Sequence, residues 1–263
     1  AGALATARAV TGGTLTINGS AGSKDVTVGA ATSAKTIAGQ INNVSGDTNV
    51  TASARTDVKL SFSAAGSYSL TLKSDNSTAE TITFSLGSAS GDELSSAITA
   101  FNDKSSKTGV TAALSADKSG IVLSNATGND IALADTAVAN AGTTTLQAVG
   151  ADGSTAVGSS RVLAADTTAD TSIVVGQITF DSAKTFSVAQ AAAGTNLLGA
   201  AGAASLAGAA TSLSPANALA TSLLLLPLLA LLLWQSGGQY TRDMASEQQA
   251  VKHHAEVAHK ALV

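Results

Sequence analysis

The sequence predicts an α+β fold that is mostly β, with two strand–helix–strand–strand repeats packed as small sheets and a helical Ala/Leu-rich segment at the C-terminus. Three observations support this prediction. Residues 1–190 alternate short apolar runs with Gly, Asn, Asp and Ser, which is typical of half-buried strands joined by turns. Two segments in this part have helical spacing instead. Similar residues then recur sixty positions further along the chain, which indicates an internal repeat.

The strands are predicted from an alternation of period two. Residues 14–17 are Thr-Leu-Thr-Ile, and Asn18 and Gly19 follow them. Both residue types tolerate a positive φ, so they favour a tight turn after this strand. The same alternation predicts further strands at residues 26–28, 50–52, 58–62 and 68–72.

Two short amphipathic helices interrupt the strands, at residues 33–42 and 92–104. The first has Ile37 and Ile41 four positions apart, and Ser33 is a suitable N-cap because its hydroxyl can accept a bond from a free helix N–H. The second has its apolar residues at the same spacing, namely Leu94, Ala97, Ile98 and Phe101.

The repeat is clearest around these helices. Ile41 and Asn42 correspond to Phe101 and Asn102, and the Val-Thr-Ala at residues 50–52 recurs at residues 110–112. The strands at 58–60 and 121–123 correspond after a longer hairpin in the second unit. Each unit is therefore predicted to run strand, helix, strand, strand.

Composition limits the classes of function. The 263 residues carry a formal net charge of −4, aromatic residues make up only 3%, and there is no cysteine. Nucleic-acid binding is disfavoured, since it needs clustered Lys and Arg. A disulfide framework and thiolate chemistry are excluded. The core is predicted to consist of small apolar side chains, so backbone pairing in sheets has a large share in stability.

Three stretches of the chain resemble flagellin. Residues 14–54 look like the flagellin hook IN motif, which is named for an Ile-Asn pair, here Ile41 and Asn42. Residues 92–133 resemble a second copy, which keeps Asn102 but has Phe101 in place of Ile. Residues 176–189 are similar to a strand pair near the end of flagellin outer domains. The resemblance covers roughly residues 12–190, and the motif also occurs in filament cap proteins.

This resemblance implies a structural subunit of the bacterial flagellar filament. The chain would contribute a surface-exposed outer domain, support motility, pack with other flagellin subunits in a homopolymer, and lie outside the cell. The long terminal helices that build the filament tube in flagellins are not found in this sequence, so the chain is expected to be a fragment or a trimmed product. The alternative is a cap-like or membrane-anchored surface adhesin.

On this basis five parts are expected along the chain. The first two are the repeats, and the third completes the outer domain with additional strands. An Ala/Gly-rich linker, loosely helical or disordered, comes next, and an apolar helix with a polar tail ends the chain. The expected limits are residues 1–72, 73–140, 141–190, 191–215 and 216–263.

The C-terminal part leaves three interpretations open. Residues 216–235 carry no charge, and residues 223–233 are nine Leu, one Pro and one Ala. About 20 apolar residues can cross a bilayer as a helix, and Trp234 suits a membrane interface. Membrane contact through residues 216–235 is one interpretation. The others are packing in a helical bundle or oligomer interface, and a frameshifted translation product.

No catalytic residue, cofactor site or metal site is predicted. Phosphate-binding and nucleophile motifs are absent, and all histidines follow residue 240, so residues 1–240 cannot supply a Ser-His-Asp triad. His253, Glu256 and His259 share a predicted helix face, but a solvated face is favoured over a metal site. Acidic pairs (Asp130 with Asp135, Asp166 with Asp170) are expected on a solvated surface, and residues 125–130 are expected to form a plain turn rather than a calcium loop.

Overall fold

The computed structural model describes residues 12–190 and the strand at 205–208. All of these residues lie in the first of the two units into which the chain divides, residues 1–211 and 212–263. The predicted apolar helix and polar tail at 216–263 lie outside the described residues.

The described residues are organised as short strands with four helices between them. The strands are β1 (Gly13–Asn18), β2 (Ser23–Val28), β3 (Thr51–Phe62), β4 (Gly66–Lys73), β5 (Glu80–Leu86), β6 (Val110–Leu114), β7 (Ile121–Asn125), β8 (Ile131–Asp135), β9 (Thr144–Ala148), β10 (Arg161–Leu163), β11 (Thr171–Val174), β12 (Gln177–Asp181), β13 (Phe186–Gln190) and β14 (Ser205–Gly208). The helices are α1 (Ala34–Asn43), α2 (Ser45–Thr48), α3 (Ser95–Asn102) and α4 (Ser105–Thr108), and a 3-10 turn at Gly91–Leu94 precedes α3. The α+β, mostly β prediction is confirmed.

The strands form three antiparallel sheets. Sheet I has the order β14, β13, β1, β2. Sheet II has the order β10, β9, β3, β7, β6, and β12 pairs with the first half of β3. Sheet III has the order β11, β8, β4, β5. Small sheets of this kind were predicted from the short apolar runs that alternate with turn residues.

The first core joins sheet I to α1, the first half of β3 and β12. Helix α1 begins where the sequence predicts, because the Ser33 hydroxyl accepts a hydrogen bond from the N–H of Thr36 at 3.4 Å. Ile37 and Ile41 then lie on the buried face one turn apart. The first core consists of Leu15, Ile17, Val26, Val28, Ile37, Ala38, Ile41, Val50, Ala52, Phe180, Phe186 and Val188.

The second core lies between sheets II and III, and α3 packs against both β5 and β6. The predicted helix at 92–104 is confirmed as α3, although its first turn is a 3-10 turn. The second core consists of Val58, Leu60, Phe62, Tyr68, Leu70, Leu72, Ile82, Phe84, Leu86, Leu94, Ala97, Phe101, Val110, Ala112, Ile121, Leu123, Ile131, Leu133, Leu146, Leu163 and Val174. The predicted domain limits at residues 72, 140 and 190 stay a prediction.

Strand β3 runs through both cores. Its first half pairs with β12, and its second half pairs with β7 on one edge and β9 on the other. The prediction of separate strands at 50–52 and 58–62 is therefore wrong, because the chain stays extended between them. Val58, Leu60 and Phe62 are buried in the second core, which favours continued extension over a turn.

The turn after β1 has a different cause from the one predicted. Neither Asn18 nor Gly19 has a positive φ. A Cβ atom on Gly19 would instead collide with the carbonyl oxygen of Thr48. Glycine is needed there because the end of α2 approaches the backbone closely, a contact that the local sequence does not show.

A tight junction lies where the two cores meet. A Cβ atom on Gly176 would lie 2.6 Å from Oγ1 of Thr56, 2.8 Å from Cβ of Ala34 and 2.8 Å from the carbonyl oxygen of Gly128. The N–H of Lys35 donates to that same carbonyl at 3.1 Å. The start of α1, the middle of β3 and the loop after β7 therefore touch through Gly176.

Replacing Gly176 by alanine should destabilise the fold, because the added methyl group has no space in this junction. The expected loss in the free energy of unfolding is on the order of 1–3 kcal/mol, measured by urea denaturation. Gly39 is the matched control, since nothing lies within 4 Å of its added Cβ and it is an exposed residue in the interior of α1. There alanine should stabilise by about 0.5–1 kcal/mol. If Gly176→Ala and Gly39→Ala changed the free energy of unfolding equally, the close packing around Gly176 would be contradicted.

Strand β14 lies within the predicted Ala/Gly-rich linker at 191–215. Residues 205–208 pair with β13 and extend sheet I by one strand. A loosely helical or disordered segment was expected here, whereas these four residues form a strand, because the edge of β13 supplies backbone partners that the local composition does not reveal.

Candidate functional site

Ile41 and Asn42 lie in the last turn of α1. Ile41 is 0% exposed and packs in the first core. Asn42, the next residue, is exposed, and its side-chain amide bonds to the backbone of β3. The pair thus anchors the helix to the core through one side chain and to the sheet through the other.

The amide of Asn42 takes the place of a neighbouring strand. Its Nδ2 donates to the carbonyl of Ala52 at 2.8 Å, and its Oδ1 accepts from the N–H of Ala52 at 2.7 Å. A facing residue in an antiparallel sheet makes the same two bonds. Since β12 pairs with the other edge of β3 at this point, Asn42 closes the remaining edge.

Asn102 makes the same contacts in the second core. Its Nδ2 donates to the carbonyl of Ala112 at 3.0 Å, and its Oδ1 accepts from the N–H of Ala112 at 2.7 Å. Ala112 lies on β6, whose other edge pairs with β7. The structure therefore places two of the predicted residues in equivalent positions, each closing the edge of the strand that follows its helix.

The connections from helix to strand also match. The hydroxyls of Thr48 and Thr108 each donate to the carbonyl four residues earlier at 3.0 Å and accept from the N–H two residues later at 3.2 Å. Asn49 and Gly109 follow with φ values of 57° and 67°. Asn is one of the few residues with a side chain that tolerates this region.

A contact with Asp75 also requires glycine at position 109. A Cβ atom there would collide with Oδ2 of Asp75. Asp75 is held in place because its Oδ1 accepts from the amides of Asn125 and Asn129, both at 2.8 Å. The second unit therefore needs a residue without a side chain where the first unit has Asn49.

The hydrophobic members of the two pairs differ in size. Phe101 is 0% exposed, like Ile41, and its ring centroid lies 6.1 Å from that of Phe84. The second core contains a cluster of aromatic rings, Phe62, Tyr68, Phe84 and Phe101. A larger side chain at position 101 fills this aromatic core, whereas Ile41 packs mainly among aliphatic residues.

The two units diverge after these strands. In the second unit the chain turns back, and the Ser115 hydroxyl donates to the carbonyl of Gly120 at 2.8 Å. Nζ of Lys59 on β3 lies 2.5 Å from Oδ2 of Asp117 in this turn. Lys59, together with the hydroxyls of Ser115 and Ser119, holds the pKa of Asp117 well below its ordinary value. In the first unit β3 continues straight instead.

The sequence predicted the pairs Ile41-Asn42 and Phe101-Asn102 but not their backbone partners. Residues 48–52 are Thr-Asn-Val-Thr-Ala and residues 108–112 are Thr-Gly-Val-Thr-Ala. Extending the comparison by two residues would have added Thr48 and Thr108 to the repeat. The roles of Ala52 and Ala112 could not be inferred, because both act through backbone groups that every residue has except proline.

The acidic residues are not all on a solvated surface. Asp166 is exposed, as predicted, but the prediction is wrong for Asp130 and Asp135, which are buried. All five residues of β8 are buried, and the strand lies between β11 and β4 in sheet III. The structure brings Asp135 to Asp170, whereas the sequence suggested pairing Asp130 with Asp135 and Asp166 with Asp170.

The predicted plain turn at residues 125–130 is an internally bonded loop. Oδ1 of Asn125 accepts from the N–H of Thr127 at 2.9 Å and from its hydroxyl at 2.8 Å. The carbonyl of Asn129 accepts from the Thr56 hydroxyl at 2.7 Å. These oxygens are used within the fold, and they fix the loop against β3.

Two predicted features lie outside the described residues. These are the helix face with His253, Glu256 and His259 and the apolar segment at 216–235. Within residues 12–190 and 205–208, no group of three or more His, Cys, Asp or Glu side chains is placed to hold a metal ion. No helix in that part is both long and apolar enough to cross a membrane.

The comparison with known families gives one match. Residues 14–66 match the family model described as the flagellin hook IN motif. No curated protein matches the chain. The matched segment runs from β1 to the first residue of β4 and includes α1 with Ile41 and Asn42. Residues 14–66 are therefore similar to the flagellin hook IN motif.

Proposed function

We propose that residues 12–190 form the surface-exposed outer domain of a flagellin, and that the chain is a structural subunit of the bacterial flagellar filament rather than an enzyme. The match at residues 14–66 carries this proposal. In this role the domain acts through its shape and its surface, displayed outside the cell on a homopolymer of flagellin subunits that supports motility.

We further propose that the chain holds two copies of the motif. Ile41 and Asn42 belong to the first copy, and Phe101 and Asn102 to the second. The support for the second copy is geometric: Asn42 and Asn102 make the same pair of bonds, to Ala52 and Ala112, within 0.2 Å of one another (2.8 and 3.0 Å; 2.7 and 2.7 Å). The same helix-to-strand connection follows both.

The architecture suits display on a filament. The two cores are joined by the continuous strand β3 and by the packed junction at Gly176. No disulfide contributes to this connection. Several segments between the strands are exposed, for example residues 151–160, and exposed loops tolerate substitution better than the strands that they connect. Packed cores with exposed loops fit a subunit whose surface faces the medium.

Thiol labelling of filaments tests the proposal, because the chain has no cysteine of its own. Ser154→Cys places a thiol on an exposed turn, and Ala97→Cys places one at a position that is 0% exposed. In a strain whose only copy of the gene carries the variant codon, a maleimide dye should label intact Ser154→Cys filaments along their whole length. Ala97→Cys filaments should stay unlabelled until they are denatured.

Three results would overturn the proposal. Label confined to the filament tip would indicate a cap-like protein, and label on the cell envelope would indicate an anchored adhesin. Ser154→Cys filaments that react only after disassembly would contradict an outer position for this domain.

Deleting the gene should abolish filaments and swimming, measured by electron microscopy and by spreading in soft agar.

A further inference from the structure

Asp135 is a carboxyl group inside the sandwich of sheets II and III. It ends β8, directly opposite Leu70 of β4, and its alternation with Leu133 places it on the side of sheet III that faces the second core. Its side chain is only 1% exposed. Carboxyl groups are seldom buried to this degree without a partner of opposite charge.

The hydrogen bonds of Asp135 hold the connection between β10 and β11. Its Oδ1 accepts from the N–H of Asp170 at 2.5 Å, and its own N–H donates to the carbonyl of Asp170 at 3.2 Å. Its Oδ2 is buried and makes no hydrogen bond. Residues 164–170 link sheet II to sheet III, so Asp135 fastens the segment that ties the two sheets together.

The charged groups that act on Asp135 are both acidic. Asp170 presents its carboxylate nearby, with Oδ2 accepting from the N–H of Ala164 at 3.0 Å. Asp166, on the same connection, is exposed and accepts from the N–H of Thr168 at 2.8 Å. The flanking strands contribute uncharged residues at this level, Leu70 and Thr71 on β4 and Thr171 and Ser172 on β11.

We propose that Asp135 is a protonation-dependent latch, which holds the connection 164–170 on sheet III when its carboxyl is neutral and loosens it on ionisation. A proton on Oδ2 removes the buried charge and the repulsion from Asp170, while Oδ1 keeps its bond to the Asp170 N–H. Ionisation leaves an unpaired anion inside the sandwich, and moving the connection outward lets water reach it.

The direction of the pH effect follows from the surroundings. Burial raises the pKa of the Asp135 carboxyl above its ordinary value, and the charges of Asp170 and Asp166 add to the rise, although the Asp170 N–H acts in the opposite direction. A raised folded-state pKa means that the stabilising contribution is complete below the ordinary Asp pKa of about 4. The contribution is then lost as the pH rises through the folded-state pKa.

Urea unfolding of the full chain at pH values from 4 to 8 tests the latch. The native amide resonances of Leu70 and Leu133, which are buried in the second core, follow its unfolding. The urea midpoint of the unsubstituted chain should fall as the pH rises. For Asp135→Asn the fall should be less than half as large, and its midpoint at pH 8 should exceed that of the unsubstituted chain. The control is Asp166→Asn, which changes an exposed residue on the same connection and should keep most of the pH dependence.

If the urea midpoints of the unsubstituted chain and of Asp135→Asn changed in parallel with pH, the proposal would be overturned.

A second measurement needs no substitution, so it remains decisive if Asp135→Asn does not fold. In the chain labelled with carbon-13 at the aspartate carboxyl groups, the Asp135 signal should titrate above the ordinary Asp range. The amide proton of Asp170 should shift over the same pH interval. Titration of Asp135 at or below the ordinary range, or an Asp170 amide that does not follow it, would overturn the latch.

Discussion

Replacing Phe101 by alanine is expected to lower the free energy of unfolding by about 3–5 kcal/mol. The side chain is fully buried in the second core, and its ring contacts the aromatic cluster through Phe84. Truncation removes this buried area and leaves a cavity, because strands β5 and β6 and the body of α3 surround the ring and cannot all collapse into the space. Urea denaturation, followed by resonances of the second core, measures the loss.

Phe101→Ile is the matched control for this variant, since it introduces the residue type that the first unit has at position 41. It keeps a branched apolar side chain at the site and should cost less, on the order of 1–2 kcal/mol. If isoleucine were as damaging as alanine, the aromatic ring itself would be required. Positions 41 and 101 would then not be equivalent in packing, which would contradict the interpretation of Phe101 as a substituted member of a second motif.

Replacing Asn42 or Asn102 by alanine is expected to destabilise its own core by about 1–3 kcal/mol. The change removes two hydrogen bonds and leaves the N–H and C=O of Ala52 or Ala112 without their partners. Asn42→Asp should have an intermediate effect, because its carboxylate still accepts from the Ala52 N–H but repels the Ala52 carbonyl. Amide resonances of each core, followed in urea, separate the two effects.

Asn43→Ala is the control, because it makes the same chemical change at an exposed residue of the same helix end. It should alter stability by less than about 0.5 kcal/mol. The Asn42→Ala and Asn102→Ala effects should add in the double variant, since the two sites share no hydrogen-bond partner. An Asn42→Ala chain that matched Asn43→Ala would show that the edge of β3 does not need its amide.

The helices were the most predictable elements. Helix α1 follows from the Ser33 cap and from Ile37 and Ile41 one turn apart, and α3 follows from Leu94, Ala97 and Phe101. These signals lie within ten residues of one another, and the buried face of a helix is determined by its own spacing. The sequence also predicted that Asn42 corresponds to Asn102, and the two side chains make the same pair of bonds to the strand that follows each helix.

The burial of Asp135 could not be predicted from the sequence. Asp135 ends a short run, Ile-Ala-Leu-Ala-Asp, in which the alternation alone does not show whether both faces are covered. Position 170, which it contacts, lies 35 residues later. Acidic residues are usually exposed, so the sequence favoured a solvated surface, and only the closure of the sandwich by the connection 164–170 buries Asp135.

The sequence by itself determined the mostly β class and the two helices, since these depend on residues close together in the chain, and it predicted that Ile41-Asn42 corresponds to Phe101-Asn102. Only the tertiary structure decided that β3 runs unbroken through two cores, that β4 leaves it for sheet III, and that both asparagines close a sheet edge. Alternation identifies the buried face of a strand but not its neighbours, because every strand offers the same N–H and C=O groups. The partners are chosen by which faces can be buried together, and that choice joins residues more than 100 positions apart, as it does for β3 and β12.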